Sequence, residues 1–120
     1  MATTIAAQPN DGDAILGTFL NPDQTRTVRV YKDDGAYFGV IATEPAIPDG
    51  NEGVGFVVFK NFRFNERKGL WENGRLDSPM TPRIEFSGQL SLAANGDLVV
   101  RGFFGMPWIG ASSVFPRVSD

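Results

Sequence analysis

Residues 83–92 read Arg83-Ile84-Glu85-Phe86-Ser87-Gly88-Gln89-Leu90-Ser91-Leu92. Ile84, Phe86, Gly88, Leu90 and Leu92 fall on one face, and Glu85, Ser87, Gln89 and Ser91 on the other. A period of two marks a strand with one buried and one wet face. Residues 93–97 follow, with Asn95-Gly96 at their centre. Both residue types tolerate positive φ, so the chain is expected to reverse there in a tight hairpin. Residues 98–104 then return as a second strand. Leu98, Val100, Gly102 and Phe104 face one way, and Val99, Arg101 and Phe103 the other.

The same grammar extends outward in both directions. Residues 24–32 (QTRTVRVYK) are β-branched and alternating, Asp33-Asp34-Gly35 turns them, and residues 36–43 (AYFGVIAT) return. Residues 53–60 are an apolar strand that 61–65 (NFRFN) either extend or follow with another. Residues 69–76 carry Trp71, residues 15–20 open the set, and residues 112–118 close it. Residues 42–51, with two prolines, form a loop. No segment shows a 3.6-residue apolar stripe of helical length. The expected fold is all-β: about eight mostly antiparallel strands at a spacing that suggests a sandwich or a barrel, with closure into a single up-and-down barrel being the arrangement that removes the sheet's edges. Residues 1–13 read as a flexible N-terminal tail and residues 14–120 as the barrel domain.

Composition narrows the chemistry. The chain has 120 residues, formal net charge −3, and neither Cys nor His. Disulfides, thiolate nucleophiles, His-based triads and His or Cys metal sites are excluded. The weak acidity argues against nucleic acid as a partner, and no apolar run approaches the ~20 residues of a transmembrane segment. The first eight residues lack the charged region and apolar core of a signal peptide. Glu72 and Asp77 are acids in a distinctive stretch, but a spacing of five puts them on opposite faces of an ideal strand. Asp77 reads as a turn-capping residue before Ser78-Pro79. Residues 10–13 and 49–52 are oxygen-rich turns without the twelve-residue calcium pattern. No cofactor is expected.

Three motifs occur in a distinctive order: Gly17-Thr18-Phe19, then Trp71-Glu72-Asn73-Gly74-Arg75-Leu76-Asp77-Ser78-Pro79, then Leu98-Val99-Val100-Arg101-Gly102-Phe103-Phe104-Gly105. With Tyr37-Phe38-Gly39 between the first two, this order resembles the bacterial DUF2147 family of unknown function. Its members read G-x-W, a Tyr-Tyr-Gly strand, W-x-x-G-x-I-x-D-P and L-x-V-R-G-Y-x-G. Here Phe19 stands in the Trp position, Ser78 is inserted before Pro79, and Phe115-Pro116-Arg117 replaces a terminal Trp-x-Arg. The resemblance implies a lipocalin-like barrel and, because family members commonly carry a signal peptide, an extracytoplasmic location. It implies no established activity.

The aromatics carry the functional expectation. Ten Phe, two Trp and two Tyr either fill a barrel or line a cavity. Tyr37, Phe56, Trp71, Phe86, Phe104 and Trp108 are the candidate lining, with Gly39, Gly55, Gly88 and Gly102 interleaved. Arg101 joins them if it faces inward, where it would meet a ligand carboxylate; alternation turns it outward. The reading is a non-enzymatic barrel that binds a small apolar or amphipathic molecule inside or at its mouth. The alternative is a solid-core module that meets a protein or envelope component through exposed loop aromatics such as Trp108.

Overall fold

The alternating runs form strands, and those strands pair in chain order. The computed structural model describes residues 12–22, 24–42, 53–77, 85–103 and 110–119. A 3-10 turn, Gly12–Ile15, begins two residues ahead of the boundary expected from sequence. The strands are β1 (Gly17–Leu20), β2 (Thr27–Asp33), β3 (Ala36–Ala42), β4 (Val57–Asn65), β5 (Leu70–Asp77), β6 (Glu85–Leu92), β7 (Leu98–Phe103), β8 (Gly110–Phe115) and β9 (Arg117–Ser119). They form one antiparallel sheet in the order β8-β7-β6-β5-β4-β3-β2-β1-β9. β8 and β9 sit at opposite ends of that order, yet only Pro116 separates them. One stretch of chain therefore pairs with β7 through Gly110–Phe115 and with β1 through Arg117–Ser119, which brings the sheet round into a barrel. The count is nine, against about eight expected, because Pro116, lacking an N–H, divides the last strand. Its carbonyl still accepts from the Leu20 amide at 2.7 Å.

The turns follow from local chemistry. Asp34 and Gly35 both have positive φ, 52° and 79°, so β2 and β3 join through a two-residue turn whose twist matches the strands. At residues 93–97 the outcome differs in detail from the expectation. The Ala93 amide donates to the Asp97 carbonyl, the Gly96 amide to Ala93, and Gly96 alone carries positive φ, 94°. This is a three-residue turn closed by a glycine bulge. These two turns and the β4–β5 turn lie at one end of the barrel. β1, β3, β5 and β7 finish at the other, where the described turn between β1 and β2 also lies.

Ile15, Phe19, Val28, Val30, Tyr37, Ile41, Phe59, Phe62, Trp71, Leu90 and Leu98 are buried and form the core. Each large side chain among them contributes ~1.5–3 kcal/mol of transfer free energy. Two features keep the interior filled. First, Asn61 in β4 and Asn73 in β5 adopt positive φ, 60° and 66°. Each inserts an extra residue into the alternation, so Phe59 and Phe62 both face inward, as do Trp71 and Gly74. Second, bulky side chains lie over glycines. A Cβ on Gly74 would stand 2.5 Å from the Phe62 ring and 2.6 Å from the Lys60 carbonyl, and one on Gly88 would stand 2.7 Å from Leu76 Cγ. The room left by these glycines is occupied.

Candidate functional site

The barrel has two unlike ends. At the hairpin end, the Gly12–Ile15 turn lies across the strands as a plug. The Tyr37 hydroxyl donates to Asp13 Oδ1 at 2.6 Å, and Lys32 Nζ reaches the same oxygen at 3.1 Å. These two donors, the tyrosine first, hold the Asp13 carboxyl below the usual aspartate range. Trp71 Nε1 donates to the Gly12 carbonyl at 3.1 Å. Its indole meets Tyr37 edge-on and lies 4.8 Å from the Phe64 ring. A Cβ on residue 12 would fall 2.7 Å from the Tyr37 hydroxyl, so only glycine lets the plug sit this close.

Arg117 locks the same end. Its guanidinium donates to the carbonyls of Gly96 at 3.0 Å, Leu16 at 3.0 Å and Ala14 at 2.8 Å. Its backbone amide donates to Asp97 Oδ1 at 3.0 Å. The cation lies 4.6 Å from the centre of the Phe19 ring, a cation–π distance. One side chain thus ties the β6–β7 turn, the plug and β1 together. Sequence reading noted Phe115-Pro116-Arg117 only as a departure from a motif. The signal was there: an arginine directly after a strand-interrupting proline, in a chain whose first strand carries Gly17-x-Phe19.

The sequence-derived lining residues separate accordingly. Tyr37 and Trp71 are buried at the plugged end, with their polar tips committed to Asp13 and Gly12. Phe56 is half-buried against the core, beside Ile41, whose amide donates to the Phe56 carbonyl. Phe86 is half-buried and stands directly opposite Leu76 across β5 and β6. Leu76 and Phe86, as cross-strand partners, and Phe56, just ahead of β4, all stand toward the unplugged end. Arg101 faces away from the interior, between inward Val100 and Gly102, and donates to Ser112 Oγ on β8 at 3.3 Å. Phe104 and Trp108 lie outside the described residues. So do residues 49–52; among the described residues no cluster of three acids could hold a metal ion.

Glu72 and Asp77 share one face, contrary to the ideal-strand spacing, because the Asn73 bulge absorbs one residue between them. Both point outward. Glu72 accepts from Asn65 Nδ2 at 2.8 Å and meets Lys68 at 3.5 Å, while Asp77 Oδ2 pairs with Lys60 at 2.7 Å. Four strand steps separate the two acids, about 13 Å at ~3.3 Å per residue. Paired carboxylates in glycoside chemistry stand roughly 5–10 Å apart.

Comparisons with known proteins agree with this architecture. The bacterial family described as "Uncharacterized protein conserved in bacteria (DUF2147)" matches residues 17–117. Those residues run from the glycine that opens β1 to the arginine that closes the barrel. A search of curated proteins finds no match. The fold is similar to that of protein HP1028 from the human pathogen Helicobacter pylori, a member of the lipocalin family. The TM-score is 0.66 with 13% sequence identity, covering 88% of this chain and 84% of that one.

Proposed function

The chain belongs to the DUF2147 family, and from that premise we propose that it binds a small apolar or amphipathic molecule, without catalysis, at the unplugged end of its barrel. The asymmetry of the two ends carries this reading. One end is closed by Asp13, Tyr37, Trp71 and Arg117. The other, where β3, β5 and β7 finish, keeps Phe56, Leu76 and Phe86 half-buried. The lipocalin-like fold supports ligand binding by the barrel. With Phe62 packed over Gly74 in the middle of the barrel, the ligand sits at the mouth rather than deep inside. Such a site selects by shape and hydrophobicity. Apolar burial at ~25 cal/mol per Å², less the cost of immobilising the ligand, implies roughly micromolar affinity. An extracytoplasmic location belongs to the same proposal, on the strength of family resemblance.

Two measurements test it. Organic extraction of the purified protein, followed by mass spectrometry, looks for a stoichiometric apolar molecule. Titration with fatty acids and hydrophobic dyes is followed by tryptophan fluorescence in Trp71→Phe and in Trp108→Phe. Binding at the mouth leaves a saturable signal in Trp71→Phe and weakens it in Trp108→Phe. The filled interior favours a second reading, a solid-core interaction module that uses loop aromatics. No extracted molecule and no saturable signal from any apolar class would leave that reading in place.

A further inference from the structure

The Asn73 bulge does more than shift the alternation. On the outer wall, where residues 72 and 73 together oppose Gln89, it opens a groove of about 400 Å³ lined by Glu72, Asn73, Gly74, Arg75, Ser87, Gly88 and Gln89. That volume lies within the ~300–1,000 Å³ range of small-ligand sites. Gly74 and Gly88, which pair in the register and whose missing side chains would point inward, contribute backbone to its floor. Between the Lys60–Arg75 and Arg63–Glu72 pairs, each strand carries one left-handed asparagine, Asn61 in β4 and Asn73 in β5. Strain of this kind, ~1–3 kcal/mol per residue, concentrates at functional sites.

The side chains around the groove are poised as well as polar. Among the described residues, Arg75, Asn73, Ser87 and Gln89 make no side-chain hydrogen bond or ion pair. Arg75 stands opposite Ser87 in the register and presents a free planar fork. Glu72, at the other end, is offset by Lys68 and oriented by Asn65, and retains acceptor capacity. The arrangement is one cationic fork, one hydroxyl, two amides and one neutralised carboxylate. A guanidinium fork matches a carboxylate with two parallel hydrogen bonds. The neutral groups match hydroxyls, and Glu72 disfavours a second negative charge. We propose that this groove binds a carboxylate-bearing sugar, the carboxylate on Arg75 and the hydroxyls on Asn73, Ser87, Gln89 and Glu72. The site is on the outer wall and is independent of any ligand at the barrel mouth.

The test is a titration of the isotopically labelled protein with galacturonate, followed by amide NMR shifts. Glucose supplies hydroxyls without the carboxylate, and acetate the carboxylate without hydroxyls. Saturable shifts at residues 72–75 and 87–89 are expected with galacturonate, with weaker binding of both controls. Arg75→Gln, an exposed substitution that leaves the core untouched, should weaken galacturonate about tenfold, the order expected for a lost charge-assisted hydrogen bond. The proposal is overturned by the absence of localised saturable shifts, by acetate binding as tightly as galacturonate, or by undiminished binding in Arg75→Gln.

Discussion

Trp71 donates its indole N–H to the carbonyl of Gly12, 59 positions earlier in the chain. That bond, with the Tyr37–Asp13 contact, turns two aromatics that look like ligand lining into anchors for an N-terminal plug. The distinction matters because it decides which end of the barrel a ligand can enter.

Asp13 makes the plug sensitive to acid. Its folded pKa is lowered, chiefly by the Tyr37 hydroxyl and then by Lys32, whereas the unfolded value is about 3.9. A lowered carboxylate contributes stability above its unfolded pKa and loses it as pH falls through the folded value. The contribution is therefore complete at neutral pH and gone in strong acid. Asp13→Asn should lower the urea midpoint at pH 7, and the gap to the parent should shrink below pH 4. A gap independent of pH would contradict the assignment.

Arg117 should be the costliest single surface-reachable residue at the plugged end. Arg117→Ala removes donors from three backbone carbonyls and the cation over Phe19. A loss of at least ~2 kcal/mol is expected from urea unfolding, since bonds to a charged donor are worth ~1.5–3 kcal/mol each. Arg117→Lys keeps the charge but not the fork, and should recover only part of it.

Gly74 and Gly102 should behave differently. A Cβ on Gly74 meets both a ring and a backbone carbonyl, whereas one on Gly102 meets only the Leu76 Cδ1 methyl at 3.2 Å. Gly74→Ala should cost ~1–3 kcal/mol by overpacking. Gly102→Ala should fall well below that, because a leucine methyl can rotate aside. Equal unfolding midpoints for the two variants would count against the packing described.

Lys60 and Asp77 should be coupled. The Asp77 side chain is 6% exposed and its Oδ1 has no hydrogen-bond partner, so it leans on Lys60 for compensation. Lys60→Met leaves a buried carboxylate without its countercharge and should cost ~1–3 kcal/mol. Adding Asp77→Asn should return part of that loss. A double variant no more stable than Lys60→Met alone would show that the pair is not coupled.

The hairpins were legible because alternation and turn residues agree locally: Asp34-Gly35 and Asn95-Gly96 sit where the chain reverses. The barrel closure was legible only through family resemblance, since Pro116 divides a strand that pairs with both β7 and β1. The bulges at Asn61 and Asn73 were not legible. An asparagine inside an alternating run looks like an outward polar residue, and its left-handed backbone is imposed by the neighbouring strand. That missed residue is why Glu72 and Asp77 seemed to lie on opposite faces. Of the candidate lining, aromatic identity pointed to the interior, but not to which end. Tyr37 and Trp71 were placed by contacts with residues 12 and 13, which sequence assigned to a tail.

The central claim is that ligand enters at the end opposite the plug, and an NMR shift map of the labelled protein titrated with a fatty acid tests it most directly. The account predicts saturable shifts at Phe56, Leu76, Phe86, Phe104 and Trp108, with Tyr37 and the Trp71 indole N–H unmoved. Shifts centred on Tyr37, Trp71 and Gly12, showing entry through the plugged end, would contradict it.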